Sequence, residues 1–410
     1  MRVIPYSVLI LAVLLSSLAV DSILNAPPEA PAYFYSMRVT IANGQQYMDP
    51  SNASSPYYYM LNQNIFKNNS FQTVLVESVK LNGQEVSWGF VADADGNPMV
   101  SVKSSGALAP HENASLEIHF KITIRKIEMK LYRPKTISDI PEGLRAAYGM
   151  SGVWSPTTIN NSAAIISLAE SFRDSSGDVV ATLFRMLQWF EENMKYGSDI
   201  SEPQDIGQTF STLKGDCDDQ ANLFVFMCRS LGIPAYTSIG PIFRAGHEME
   251  TEGNLVFNLT NVGWHGWAMV YVPLEGGGTW IPVDLTYFNR ATLRDNHITS
   301  TDLWDHINGS ALAFKDTVVY LDMISYDYVS DSRIMKQNIL GSDCQWIEEH
   351  LMVPASTFFS IGYAGGTALL LALVIMTALI ALSRKKRLSN SAVVQHPPIN
   401  QLGTFLVTAG

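Results

Sequence analysis

The 410-residue chain predicts an α+β fold, in which a helix carrying a cysteine packs on an antiparallel sheet carrying a histidine and an aspartate. An all-β sandwich precedes that core and one C-terminal transmembrane helix follows it. Three observations predict this arrangement. Before residue 135, apolar and polar residues alternate with the two-residue period of half-buried strands. After Pro156 the spacing becomes helical, and after Pro234 the strand period returns. From Ala355 to Ser383 there is no charged residue, and Phe358–Leu382 is long enough to span a hydrocarbon layer of about 30 Å.

The first element is an apolar leader. Val3–Val20 is free of charge after Arg2, so residues 1–26 read as a signal peptide cleaved near Ala19 or Ala26, or as an uncleaved signal anchor. Residues 27–135 follow as an extracellular β-sandwich. In it Leu116, Ile118, Phe120, Ile122 and Ile124 alternate with Glu117, His119, Lys121, Thr123 and Arg125. Phe71–Val79 and Val86–Val91 flank Asn82-Gly83, a pair suited to the positive φ angles of a tight hairpin turn. Asp93-Ala94-Asp95-Gly96-Asn97 has the opening spacing of a calcium loop, lacks its distal glutamate, and reads as a turn.

Helices come next. Ala163–Arg173 and Asp178–Tyr196 are amphipathic, the second with Leu183, Leu187, Phe190 and Met194 on one stripe. A third helix has both ends written in the sequence. Asp216 suits the N-cap, with Asp219 at capping-box spacing, and Gly232 and Pro234 stop it. Cys217 therefore lies on the first turn, where unpaired N–H groups and partial positive charge favour thiolate. Strands are expected at Ala235–Ile242, Trp264–Val272 and Thr279–Thr286. Residues 290–350 carry no motif. The core is thus assigned to 136–345, a stalk to 346–357, the membrane helix to 358–382 and a tail to 383–410. Arg384-Lys385-Lys386-Arg387 would hold that tail in the cytoplasm, giving a single-pass cell-membrane protein with its folded part outside. Gly362 and Gly366 form a Gly-xxx-Gly pair at which two such helices could pack.

Composition excludes other classes. A net charge of −11 argues against nucleic acid as a partner. Three cysteines rule out a disulfide scaffold. Cys228, about three turns beyond Cys217, reads as core packing, and a bridge from it to Cys344 would leave Cys217 as the odd thiol. Acceptor sequons at Asn52, Asn68, Asn113, Asn160, Asn258 and Asn308 agree with a secreted context.

A thiolate that attacks an acyl carbon needs a general base, and the base needs a group to fix its tautomer. His265, in Gly263-Trp264-His265-Gly266-Trp267, and Asp284, in Val283-Asp284-Leu285-Thr286, are placed to supply both. Their midpoint falls in the connecting turn, so they become cross-strand neighbours about 5 Å apart at Cβ. If the loop instead centres on Gly276, they form a diagonal pair. The Cys217 backbone N–H is one oxyanion donor, and Gln208 is the nearby amide for a second. Asp216, Asp218 and Asp219 either cap the helix or could bind Ca2+; in both cases their charge opposes the thiolate. No other cofactor is expected.

Together Gly215-Asp216-Cys217-Asp218-Asp219, Leu231-Gly232-Ile233-Pro234, His265-Gly266-Trp267 and Val283-Asp284-Leu285-Thr286 resemble the transglutaminase-like superfamily of papain-fold enzymes. Leu187–Tyr196 resembles the helix leading into that core, so the likeness spans about residues 155–290. The resemblance implies a triad: Cys217 nucleophile, His265 base and then acid, Asp284 orienter. It also implies a protein or peptide substrate at the cell surface, with membrane lipid met only by the C-terminal helix. Members include crosslinking transamidases, cysteine proteases and glycan-removing amidases. Hydrolysis is expected ahead of transamidation because it needs no amine tunnel, which Trp264 and Trp267 would otherwise line. A non-catalytic binding module on the same fold is the competing class. Alanine is commoner than glycine at the Gly266 position, a mild departure. Certain periplasmic members are similar in having acidic residues beside the cysteine that bind calcium.

Overall fold

A computed structural model describes residues 32–104, 106–125, 134–197, 203–286 and 318–355. The first strands are β1 (Ala32–Asn43), β2 (Asn62–Asn64), β3 (Gln72–Leu81), β4 (Gln84–Glu85), β5 (Trp88–Ala92), β6 (Pro98–Val102) and β7 (Asn113–Ile124), with helix α1 (Pro56–Leu61) before β2. Then come α2 (Glu142–Ala147), α3 (Ser162–Phe172), α4 (Val179–Asn193), β8 (Lys195–Tyr196), α5 (Ile206–Thr212), β9 (Lys214–Gly215) and α6 (Cys217–Ser230). The chain continues through β10 (Ala235–Glu252), β11 (Leu255–Leu274), β12 (Gly277–Val283), β13 (Leu321–Met323), α7 (Tyr328–Leu340) and β14 (Cys344–Pro354). Among the described residues the main sheet runs β13-β10-β11-β14-β1-β7-β3-β4, with β12 added on β11.

That order corrects the expected architecture. The N-terminal strands do not form a sandwich separate from the core. β1 pairs with β7 on one side and, from Tyr33↔Pro354 to Asn43↔Cys344, with β14 on the other. β14 in turn runs parallel to β11, the strand of His265, from Leu255↔Trp346 to Thr260↔Leu351. One sheet therefore joins the first strand to the histidine. The stalk assigned at 346–357 falls largely on β14, where Trp346, His350 and Met352 are buried. Glu348 and His350 break its apolar alternation, which is why it did not read as an interior strand. Their mutual bond of 2.7 Å, and one of 2.9 Å between His350 Nδ1 and Tyr35 Oη, make that burial tolerable. The membrane helix expected at 358–382 lies outside the described residues. Among the described residues no helix is long and apolar enough to cross a membrane.

Local signals fared better. Asn82 and Gly83 have φ of 52° and 78° and turn β3 into β4. That second strand pairs only at Gln84 and Glu85 before the chain leaves for the three-stranded sheet β2-β6-β5. The Asp93–Asn97 segment is a turn, and it is also a clasp. The Asp95 carboxylate accepts the backbone N–H groups of Ile324, Ser325 and Tyr326 at 2.8, 2.7 and 2.7 Å.

The core that positions the site is built around α6. Asp219–Arg229 is buried on every side, as a helix at the centre of a domain must be. Leu223, Phe224, Val225, Phe226 and Met227 fill the layer between the sheet and α3–α5, Phe224 meeting Phe190 edge-on at 5.5 Å. Gly232, at φ 78°, turns the chain out so that the Ile233 N–H reaches the Cys228 carbonyl at 2.9 Å. Arg229 ties this end down. Its guanidinium donates to the carbonyls of Ala235, Gly149 and Ile324 at 2.7, 3.1 and 3.1 Å, and lies 4.5 Å over the Trp154 ring. Burial pulls its pKa down to about 9, which still leaves it cationic at neutral pH beside the helix C-terminus.

Candidate active site

Cys217 is the first residue of α6. Asp216 caps the helix, its carboxylate accepting the Asp219 N–H while Asp219 reaches back to the Asp216 N–H. The fold then holds this end from two sides. Gln220 donates to the Gly215 carbonyl at 2.8 Å, and the Gln204 N–H and amide bind the two Asp219 oxygens at 2.7 and 2.9 Å. From the sheet, Gly266 presses against the first turn. A Cβ there would lie 2.7 Å from Asp218 Cβ and 2.9 Å from its Cα. Only a residue without a side chain lets β11 approach this closely. The departure at Gly266, read from sequence as mild, is thus a packing requirement.

The long hairpin β11–β12 brings the other two residues together. Pairing runs from Leu274↔Gly277 to Ala268↔Val283, so the turn is Glu275-Gly276 and the register places Asp284 near Trp267. Asp284 and His265 are therefore the diagonal pair on one face rather than the directly opposed one. His265 Nε2 and Asp284 Oδ2 are 2.7 Å apart, and both residues are buried, 6% and 2% exposed. Asp284 Oδ1 accepts the Thr286 N–H at 3.1 Å, so both carboxylate oxygens are directed. The indole of Trp267 stacks on the imidazole at 5.9 Å. With Nε2–H given to Asp284, Nδ1 is the nitrogen that can take a proton from a thiol.

The electrostatics around Cys217 oppose ionisation. Burial first, then the Asp218 and Asp216 carboxylates, push the thiol well above its ordinary range, while a hydrogen bond from the Gly266 N–H pulls it down. Asp218 Oδ1 lies 3.9 Å from Sγ. Asp216 is itself pushed up to about 9, by burial and then by the neighbouring Asp218 charge, with which its side chain also shares a hydrogen bond. A carboxyl raised in the folded state costs stability as pH climbs from its unfolded value near 4 towards 9, by at most about 1.4 kcal/mol per pH unit. Asp216→Asn keeps a capping oxygen and removes that titration. It is expected to flatten the alkaline decline and to be the more stable form at pH 8. Urea midpoints of both proteins at pH 5 and pH 8 check this; parallel declines would refute it.

The other expected site residues separate. Asp216, Cys217 and Asp218 offer ligand atoms within 4.8 Å of one another, but Asp219 is drawn off to Gln204. Two carboxylates and a soft thiol are a poor match to the six to eight oxygens a calcium ion takes. Gln208 is exposed on α5, its backbone engaged with Asp205 and Thr212. Trp264 points to the opposite face, edge-on to Tyr320 at 5.3 Å and His350 at 5.5 Å, so of the two tryptophans only Trp267 is at the site. All three cysteines are free thiols, with Cys228 and Cys344 buried.

Tyr328 was not singled out from sequence. It is the first residue of α7, and its hydroxyl donates to Asp218 Oδ2. Asp327 caps this helix by accepting the Ser330 N–H at 3.1 Å, a start signal that the reading of residues 290–350 does not pick out. Nor does the sequence show the contact of Tyr328 with a residue more than 100 positions earlier.

Residues 166–285 match the model of the transglutaminase-like superfamily core. No curated protein matches the sequence. Among solved structures, a candidate cysteine protease from Cytophaga hutchinsonii is similar at 13% identity and TM-score 0.47, over 80% of this chain and 91% of that one. The periplasmic domain of TgpA from Pseudomonas aeruginosa is similar at 15% identity and TM-score 0.28, over 65% and 90%.

Proposed function

Since residues 166–285 form a transglutaminase-like domain, we propose that this chain is a cysteine enzyme that transfers the acyl group of a protein or peptide amide through a Cys217 thioester. The observation that carries the reading is the buried 2.7 Å His265–Asp284 bond on the strand whose Gly266 abuts the Cys217 turn. Nδ1 of His265 takes the Sγ proton as sulfur attacks the amide carbon. The tetrahedral oxyanion meets the N–H groups at the start of α6. Collapse breaks the C–N bond, and His265 returns the proton to the departing amine. Water, deprotonated by the same imidazole, then releases the acid and restores the thiol.

Water is the acceptor we favour over a lysine amine. Only Trp267 of the two tryptophans faces the triad, and it is fully buried, so these two do not together line a channel for an amine. The test is incubation with a labelled primary amine and a glutamine-rich protein. Cleavage or deamidation that depends on Cys217, without incorporated label, is expected. Label incorporation would make the enzyme a transamidase. No reaction in either mode, with a thiol no more reactive than free cysteine, would leave a binding module.

A further inference from the structure

We infer that Tyr328 is a positioning residue of this site, holding the Asp218 carboxylate through a buried hydrogen-bonded chain that begins on β10. The inference rests on Cys217 being the nucleophile, and concerns how its thiolate is tolerated beside an acidic neighbour. The chain has three links. Thr237 Oγ1 on β10 donates to Asn222 Oδ1 at 2.7 Å. The Asn222 side chain is hydrogen-bonded in turn to the Tyr328 phenol, which can receive its amide N–H. The phenol donates to Asp218 Oδ2. Thr237 and Asn222 are 0% and 1% exposed, and Tyr328 is 9% exposed, so the chain has little competition from water.

The placement is economical. Asp218 and Asn222 lie one turn apart on the same face of α6, and Tyr328 reaches both from the start of α7. Buried polar groups are costly unless paired, and the Thr-Asn-Tyr series pairs each of its members in a line that ends on Asp218. Its end point is informative. Asp218 Oδ1 is 3.9 Å from Cys217 Sγ, within reach of a hydrogen bond from the thiol and close enough for its charge to oppose the thiolate. A phenol bonded to the other oxygen draws charge away from Oδ1 and fixes the carboxylate rotamer. Of the other groups around the sulfur, Asp216 on the same helix also shares a side-chain hydrogen bond with Asp218, while His265, Gly266 and Asp284 approach from the sheet side. Burial and the Asp218 charge keep the phenol protonated throughout the working range, so it is a donor at every useful pH.

The test is a rescue experiment on the whole chain, read as the rate at which Cys217 is alkylated by iodoacetamide at pH 7 and located by peptide mass spectrometry. Tyr328→Phe should slow alkylation about fivefold to tenfold, the equivalent of up to one pKa unit at the thiol. Adding Asp218→Asn to that variant should return the rate to within about twofold of wild type, because the charge being screened is gone. Thr237→Val, which cuts the far link and keeps the volume, should produce a smaller loss in the same direction. A Tyr328→Phe rate equal to wild type overturns the inference. So does a slow rate that Asp218→Asn fails to restore, which would mark Tyr328 as a packing residue only. If Tyr328→Phe does not fold, an unchanged rate in Thr237→Val overturns it. A wild-type alkylation rate that His265→Ala leaves unchanged overturns both this inference and the catalytic reading, whereas a rate that depends on His265 but not on Tyr328 leaves the catalytic reading standing.

Discussion

His265→Ala is expected to lower the rate of Cys217 acylation by about 10²–10⁴-fold, the usual worth of a positioned general base. The resting thiol is raised by burial and by two acidic neighbours, so the helix N-terminus alone does not supply a thiolate at neutral pH. Proton transfer to the imidazole must therefore accompany attack. A p-nitrophenyl ester reads this step without knowledge of the natural substrate, with Cys217→Ala as the blank. Asp284→Ala should lose less, because the imidazole remains and only its orientation and charge compensation go. Asp284→Asn should retain more still, since the amide carbonyl can accept the Nε2–H. The double variant His265→Ala with Asp284→Ala should be no slower than His265→Ala, because residues that act as a unit do not add. Additive losses would show that Asp284 acts independently of His265, and the triad reading would fail.

The local placement of Cys217, His265 and Asp284 was more legible in the sequence than the architecture around them, for a physical reason. Cys217, His265 and Asp284 are positioned by local devices: a capped helix start and a hairpin whose two-residue turn sets the register. Caps, Gly and turn lengths are short-range and leave marks in the sequence. Which strands share a sheet is not short-range. β1 and β14 are paired along their length although some 300 positions separate Tyr35 from Met352, and nothing in either segment names the other. The period-two pattern of residues 116–125 correctly announced a strand with one buried face, but the same pattern serves a separate sandwich or one wing of a larger sheet. Tyr328 was invisible for the same reason, and so was the demand on Gly266. A glycine between histidine and tryptophan looks like a small substitution until the helix it touches is in place.

Gly266→Ala should accordingly be the most damaging change outside the triad itself. An added methyl would sit 2.7 Å from Asp218 Cβ and 3.1 Å from the Asp218 backbone nitrogen, contacts with the helix itself rather than with the end of a flexible side chain. Nor can β11 easily retreat. It is paired with β10 at His265↔Gly240, and Gly240 is itself pressed on the Val318 carbonyl, 1.6 Å from where its own Cβ would be. The strain is expected to appear as a shift of the α6 start away from the strand, costing about 1–3 kcal/mol of stability as overpacked cores do. The larger effect is on chemistry. The shift would separate Sγ from the Gly266 N–H and from the imidazole next to it, and a misplacement of about 1 Å can cost about 10²-fold in rate. Acylation by the nitrophenyl ester and the urea midpoint should both fall. Asp218→Gly in the Gly266→Ala background removes the opposing Cβ, and should recover part of the activity even though glycine on the first helical turn lowers stability further. Wild-type acylation in Gly266→Ala would mean that strand and helix do not meet as closely as this packing requires.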